Sequence, residues 1–176
     1  IVISPLIALM KNQVDQIRAF GSNETAAHFL NSSLTKAEIM KVKEDILANK
    51  TKLLYVAPET LKKDETVDFL KQIKISFVAV DEAHCISEWG HDFRPEYIQL
   101  SLLHQRYPKV PRIALTATAD ELTRREIVTR LGLDTAKIFI SSFDRPNICY
   151  TVVERNNPRK QLLEFSGREA RTIYRV

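Results

Sequence analysis

The sequence predicts an α/β domain built on a parallel sheet, and three observations carry that prediction. Short apolar runs alternate with segments of helical periodicity along most of the chain. The run Phe77-Val78-Ala79-Val80 is apolar at every position, as a strand covered on both faces must be. Two carboxylates follow that run directly, at the strand end where ligands of open α/β sheets gather. A length of 176 residues with 44% hydrophobic and 27% charged residues suits one ordinary globular core.

The elements follow in order. Ile1 to Ile3 reads as a strand, and Ser4-Pro5 as an N-cap followed by proline at the first helical position. Ile7, Met10, Val14 and Ile17 recur at spacings of three and four, and Gly21 ends that helix. Thr35-Lys36-Ala37-Glu38 is a capping box, and Ile39, Val42 and Ile46 form the apolar stripe behind it. Leu53 to Ala57 is a strand stopped by Pro58, with a helix around Val67, Leu70 and Ile73. After Phe77–Val80, Ile113-Ala114-Leu115 is a further strand, and Asp120 caps a helix running to Leu131, closed by Gly132. Ile138-Phe139-Ile140 is expected as the last strand.

Ser141 to Asn147, polar and broken by Pro146, marks a boundary, so residues 1–143 form the main unit and 144–176 a second segment. In that segment Ile148 to Val153 reads as extended, Arg159 to Phe165 as a short helix and Thr172 to Tyr174 as a strand. It is too short for a core of its own.

Composition excludes several classes. No apolar run approaches the ~18 residues of a membrane helix, so no membrane partner is expected. Two cysteines, Cys85 and Cys149, make no disulfide framework and point to a reducing, intracellular compartment. The apolar start lacks the basic flank and cleavage signal of a leader and reads as a strand already under way. Lys+Arg 26 against Asp+Glu 22 gives +4, which permits a polyanionic partner without requiring one.

The chemistry-bearing residues cluster. Asp81-Glu82-Ala83-His84 leaves the Phe77–Val80 strand, and its carboxylates suit a magnesium–nucleotide site. One carboxylate there holds a hydrated Mg²⁺, and the other orients and deprotonates an attacking water. Ala114-Leu115-Thr116-Ala117-Thr118-Ala119 leaves another strand with two hydroxyls at its carboxyl end. The stretch Cys85 to Tyr97 gathers Trp89, His91, Phe93, Arg94 and Tyr97, the planes and guanidinium that stacking on unpaired bases requires. Taken alone, that loop reads equally well as one pinned by its own aromatics. His84, Cys85 and His91 lie close in sequence, but zinc is not expected here, because a zinc site usually wants a fourth ligand and more regular spacing. His28 and His104 read as packing or surface residues, and Lys41, Lys43, Arg124 and Arg125 as solvated faces.

These motifs, in this order, resemble the RecQ family of superfamily 2 DNA helicases. Ser4 to Val14 looks like its motif Ia, Asp81 to His84 like motif II, and Ala114 to Ala119 like motif III. Trp89 to Pro95 is similar to the family's aromatic-rich loop, Tyr55 to Glu59 to a segment near the DNA track, and Ser142 to Asn147 to the exit from the first lobe.

The resemblance implies a RecA-like, P-loop NTPase-type first lobe over 1–143, lacking its first strand and P-loop. Residues 144–176 would be the inter-lobe linker and the start of the second lobe. It implies ATP and Mg²⁺ as cofactors, with Asp81 holding the metal through water and Glu82 polarising the hydrolytic water. His84, Thr116, Thr118, Trp89, His91, Phe93 and Arg94 would couple hydrolysis to DNA, and Ser4, Trp89, Phe93 and Arg94 would contact it.

Single-stranded DNA and DNA junctions are the implied partners, 3′-to-5′ unwinding in repair and recombination the implied activity. The implied location is cytoplasm or nucleoid in a bacterium, nucleus in a eukaryote. One departure matters: none of Gly21, Gly90, Gly132 and Gly167 precedes a lysine, so the chain holds no G-x-x-x-x-G-K-[ST] loop. The chain thus reads as an internal fragment, inactive alone. A catalytically dead nucleic-acid-binding module and an RNA helicase remain as alternatives.

Overall fold

Five short strands, β1 (Val2–Ile3), β2 (Ala27–Leu30), β3 (Leu53–Val56), β4 (Val78–Val80) and β5 (Arg112–Ala114), form one sheet. All pairings are parallel, in the order β2-β3-β1-β4-β5. The computed structural model describes residues 1–89, 92–141, 154, 156, 157 and 160. The helices are α1 (Ile7–Gly21), α2 (Lys36–Leu47), α3 (Asp64–Lys71), α4 (Pro95–Ile98), α5 (Leu103–Arg106) and α6 (Glu121–Leu131). The chain divides into two compact units, Ile1–Ala136 and Lys137–Val176, and the sheet lies wholly in the first.

Alternation along the strands sends successive side chains to opposite faces. In β3, Tyr55 faces Met10 and Val14 of α1, while Leu54 and Val56 join Val42, Ile46, Phe69 and Leu70 from α2 and α3. A further cluster sets Ile3, Val78 and Val80 against Tyr97, Leu100, Ile127 and Leu131. The sheet is therefore covered by helices on both faces, and β4 is buried at every residue.

Local signals explain most helix ends. Thr35 Oγ1 accepts from the Glu38 amide at 3.3 Å, and Glu38 Oε2 accepts from the Thr35 amide at 2.7 Å, closing the expected capping box. Asp120 Oδ1 accepts from the Thr123 amide at 2.8 Å, and Gly132, at φ 59°, takes the left-handed cap of α6.

Four expectations are corrected. Ser4 does not cap α1: the helix starts at Ile7 after Leu6, which makes no side-chain cap bond. Gly21 is the last residue of α1, and Ser22 (φ 47°) takes the left-handed cap. Ile138-Phe139-Ile140 forms no strand and pairs with none among the described residues; its three side chains are exposed, so no apolar burial holds the run in a sheet. The edge strand β2 and the helical segments α4 and α5 are present where none was expected. His91, Cys149 and the expectations for 142–153, 159–165 and 172–174 lie outside the described residues.

Candidate functional site

Strand register builds the site. Ile3 pairs with Val56 on one side and Val80 on the other, so the next residues, Ser4, Ala57 and Asp81, leave three adjacent strands together. The ladder continues one step: Ser4 N donates to Val56 O at 3.3 Å and Asp81 N to Ile3 O at 2.8 Å. Val80 pairs with Ala114, which carries Leu115 and then Thr116 to the same edge. A short parallel sheet thereby assembles residues some 110 positions apart at its carboxyl end.

Ser4 is fully buried, and its hydroxyl donates to Asp81 Oδ2 at 3.3 Å. The hydroxyl therefore faces the carboxylate rather than solvent. Asp81 Oδ1 accepts from the Glu82 amide at 3.0 Å. Glu82 stands at φ 48°, ψ 44°, a left-handed conformation that costs a residue with a Cβ roughly 1–2 kcal/mol. That turn ends the strand and starts the 3₁₀ turn Ala83–Ile86, leaving both carboxylates half-exposed at the sheet's edge. The Ala83 amide donates to Leu115 O at 2.9 Å and holds the turn against the end of β5.

His84 is buried and joins the two motifs. Its Nδ1 lies 2.9 Å from Thr116 Oγ1 and 3.3 Å from Glu82 Oε2. A carboxylate only accepts, so this network assigns the ring proton to Nδ1. Thr116 Oγ1 also accepts from the Thr118 amide at 3.2 Å, and Thr116 and Thr118 are both exposed.

The aromatic loop is anchored at its base. Arg94 N donates to Cys85 O at 2.9 Å, and the Tyr97 hydroxyl, fully buried, donates to Asp81 O at 2.9 Å. Burial pushes the Tyr97 hydroxyl well above the ordinary phenol range, so it stays a donor. The loop's descending arm is tied to α6: Ser87 Oγ donates to Glu126 Oε2, and Arg130 bridges Glu88 at 2.9 Å and Glu126 at 3.3 Å. Beyond these ties Trp89 is 77% exposed, while Phe93 and Arg94 are half-buried and Arg94 pairs with Asp92 at 3.4 Å.

The structure thus brings Asp81, Glu82, His84, Ser4 and Thr116 together, with Trp89, Phe93 and Arg94 on the loop that follows. Sequence reasoning missed the Tyr97–Asp81 bond, because nothing in spacing tells a hydroxyl aimed at a backbone carbonyl from one aimed at solvent. It also missed the Ser87–Glu126 link, formed across 39 positions.

Paired carboxylates and hydroxyls thus stand at the carboxyl end of a helix-covered parallel sheet, where ligands of open α/β proteins bind. In comparison with known proteins, a model of the "DEAD/DEAH box helicase" family matches residues 1–126. The chain belongs to the DEAD/DEAH box helicase family, within its RecQ branch. It is 51% identical to the ATP-dependent DNA helicase RecQ of Pasteurella multocida and 48% identical to that of Haemophilus influenzae. Each match covers 94% of this chain and 26% of the relative. A probable ATP-dependent DNA helicase RecS of Bacillus subtilis is 43% identical, over 86% of this chain and 30% of that protein. The chain spans about a quarter of the length of the first two relatives. The crystal structure of the Pyrococcus furiosus Hef helicase domain shares the fold, with TM-score 0.54, 19% identity, and coverage of 75% of this chain and 27% of that one. No helix among the described residues is long and apolar enough to cross a membrane.

Proposed function

We propose that this chain supplies the hydrolytic and DNA-coupling edge of a first motor lobe in an ATP-dependent, 3′-to-5′ DNA helicase of repair and recombination. The observation that carries the reading is the join made by His84, which touches Glu82 on one side and Thr116 on the other. The DNA substrate follows the names of the relatives, and the direction of movement follows the RecQ resemblance. Residues 1–143 are the first lobe in this reading, and 144–176 the linker and the start of the second. An intracellular location, beside the DNA, goes with it.

The donor set fits a hard divalent cation: two half-exposed carboxylates, which offer oxygen ligands only. Asp81, oriented by the Ser4 hydroxyl and the Glu82 amide, would hold Mg²⁺ through water. Bound with ATP, the metal would neutralise charge on the phosphate oxygens. Glu82 accepts the proton of the attacking water, and its pairing with His84 fixes its orientation. Trp89, Phe93 and Arg94, with His91 in the same loop, contact unpaired bases and phosphates, and their occupancy reaches Asp81 through Tyr97 and Cys85. Ser4 serves the site through Asp81 rather than by touching DNA. Lacking a G-x-x-x-x-G-K-[ST] loop, residues 1–176 alone do not turn ATP over.

The test is Glu82→Gln in a form of the protein that carries a phosphate-binding loop. The amide is nearly isosteric but cannot take the water's proton, so nucleotide affinity stays and turnover falls by about 10²-fold or more. Weakened ATP binding with unchanged kcat would show that Glu82 binds rather than catalyses.

A further inference from the structure

Spacing alone supplied no complete set of metal ligands in the aromatic segment, but the fold adds one. Asp92 returns to the base of the loop and stands beside the buried pair His84 and Cys85. Cys85 Sγ lies 3.9 Å from His84 Nε2 and 3.6 Å from Asp92 Oδ2, and the three ligand atoms all lie within 4.8 Å of one another. A tetrahedral ion with bonds of ~2.3 Å to sulfur and ~2.0 Å to nitrogen or oxygen sets such ligand pairs ~3.5–3.6 Å apart. The sulfur-centred distances are thus already near those of a closed site, and a turn of the half-exposed Asp92 carboxylate toward His84 Nε2, to ~3.3 Å, completes it.

The surroundings match as well. A metal-bound histidine usually donates its other ring N–H to a carboxylate or a neighbouring acceptor, which fixes the ring. His84 does this through Nδ1 toward Glu82 and Thr116, leaving Nε2 as the nitrogen that faces the Cys85 sulfur. Asp92 is half-exposed and gives the ion a path from solvent, with a fourth position for water.

We propose that His84, Cys85 and Asp92 form a binding site for a thiophilic divalent cation of the zinc class, separate from the magnesium position at Asp81. Binding breaks the Cys85 S–H bond, forms a metal–sulfur bond and releases one proton to solvent. The ion also competes with Arg94 for Asp92, at present 3.4 Å apart, so its binding frees the guanidinium and clamps the loop's base onto His84. The site stands on its own geometry and does not depend on the helicase reading.

The experiment titrates the chain with Co²⁺, a spectroscopic substitute for zinc, and compares Cys85→Ser, Asp92→Asn and Cys149→Ser. The expected result is one ion per chain with a sulfur-to-cobalt charge-transfer band, displaced by Zn²⁺ and untouched by Cys149→Ser. Cys85→Ser abolishes the band, and Asp92→Asn weakens binding by at least the roughly 10-fold that disturbing a metal's outer shell costs. Absence of the band, its survival in Cys85→Ser, or unchanged affinity in Asp92→Asn would each overturn the proposal.

Discussion

The hydroxyl of Tyr97 donates to the backbone carbonyl of Asp81 at 2.9 Å, from a side chain with no exposed surface. This bond ties the helix that follows the aromatic loop to the first residue of the carboxylate motif. Tyr97→Phe keeps the ring's packing and leaves that carbonyl without its partner. Denaturant unfolding should show a loss of about 1–3 kcal/mol, the cost of an unpaired buried polar group. A variant as stable as its parent would mean that the tie carries no weight.

The His84–Thr116 contact predicts a kinetic effect rather than a structural one. Thr116→Val retains the β-branched shape and removes the hydroxyl that His84 Nδ1 meets at 2.9 Å. Thr116 is exposed, so folding should change little. In a form bearing a phosphate-binding loop, DNA-stimulated ATPase should fall about tenfold, corresponding to ~1.4 kcal/mol of lost transition-state stabilisation, with basal turnover largely kept. Equal losses in both rates would place the hydroxyl in the chemical step instead.

Residues 1–176 alone should show no ATP turnover above background. Asp81 and Glu82 can engage a metal, but no glycine-rich loop and lysine hold the β- and γ-phosphates. Robust turnover that disappears in Glu82→Gln would contradict this.

His28 predicts the acid side of the stability profile. Burial, with the Arg18 charge second, pushes its pKa below the ordinary 6.5, while Asp45 partly opposes the shift. Arg18 Nη2 lies 2.8 Å from Nδ1, and Asp45 Oδ2 lies 3.2 Å from Nε2. Because the folded pKa is the lower one, the unfolded chain takes the proton first. Stability is therefore full above pH ~6.5 and declines as pH falls through that value toward the depressed one. Urea midpoints should drop between about pH 7.5 and about pH 5.5, and the drop should shrink in His28→Gln. An equal drop in both proteins would assign the effect to other groups.

Helix boundaries were legible where a local signal decides them, as at Thr35–Glu38 and Asp120–Gly132. The edge strand β2 was not, because His28 interrupts its apolar run, and only the tertiary partners Arg18 and Asp45 make that residue tolerable inside. Ser4 was misread because Ser-Pro is a good helix start on local grounds, whereas the ladder extending past β1 claims it for the sheet's edge. Ile138–Ile140 shows the reverse error: apolar residues propose a strand, but only a neighbouring strand makes one. The carboxylate motif and its strand could be read directly. Its ties to Ser4 and Thr116 could not, since each depends on register between strands far apart in sequence, nor could the bond from Tyr97, which reaches back from a helix.

The central claim is that DNA at the aromatic loop is felt at the carboxylates, and its most direct test is ATPase rate against single-strand concentration in Trp89→Ala and Arg94→Ala. Both should be made in a form with a phosphate-binding loop, with DNA affinity measured alongside at fixed salt. Affinity is spread over many phosphate contacts, and one stacked aromatic contributes only ~1–3 kcal/mol, so binding should weaken modestly. Basal ATPase should persist, because neither side chain touches Asp81 or Glu82, while stimulation by DNA should fall much further than affinity. Full stimulation in both variants, at saturating DNA, would contradict the account and leave the loop a packing element.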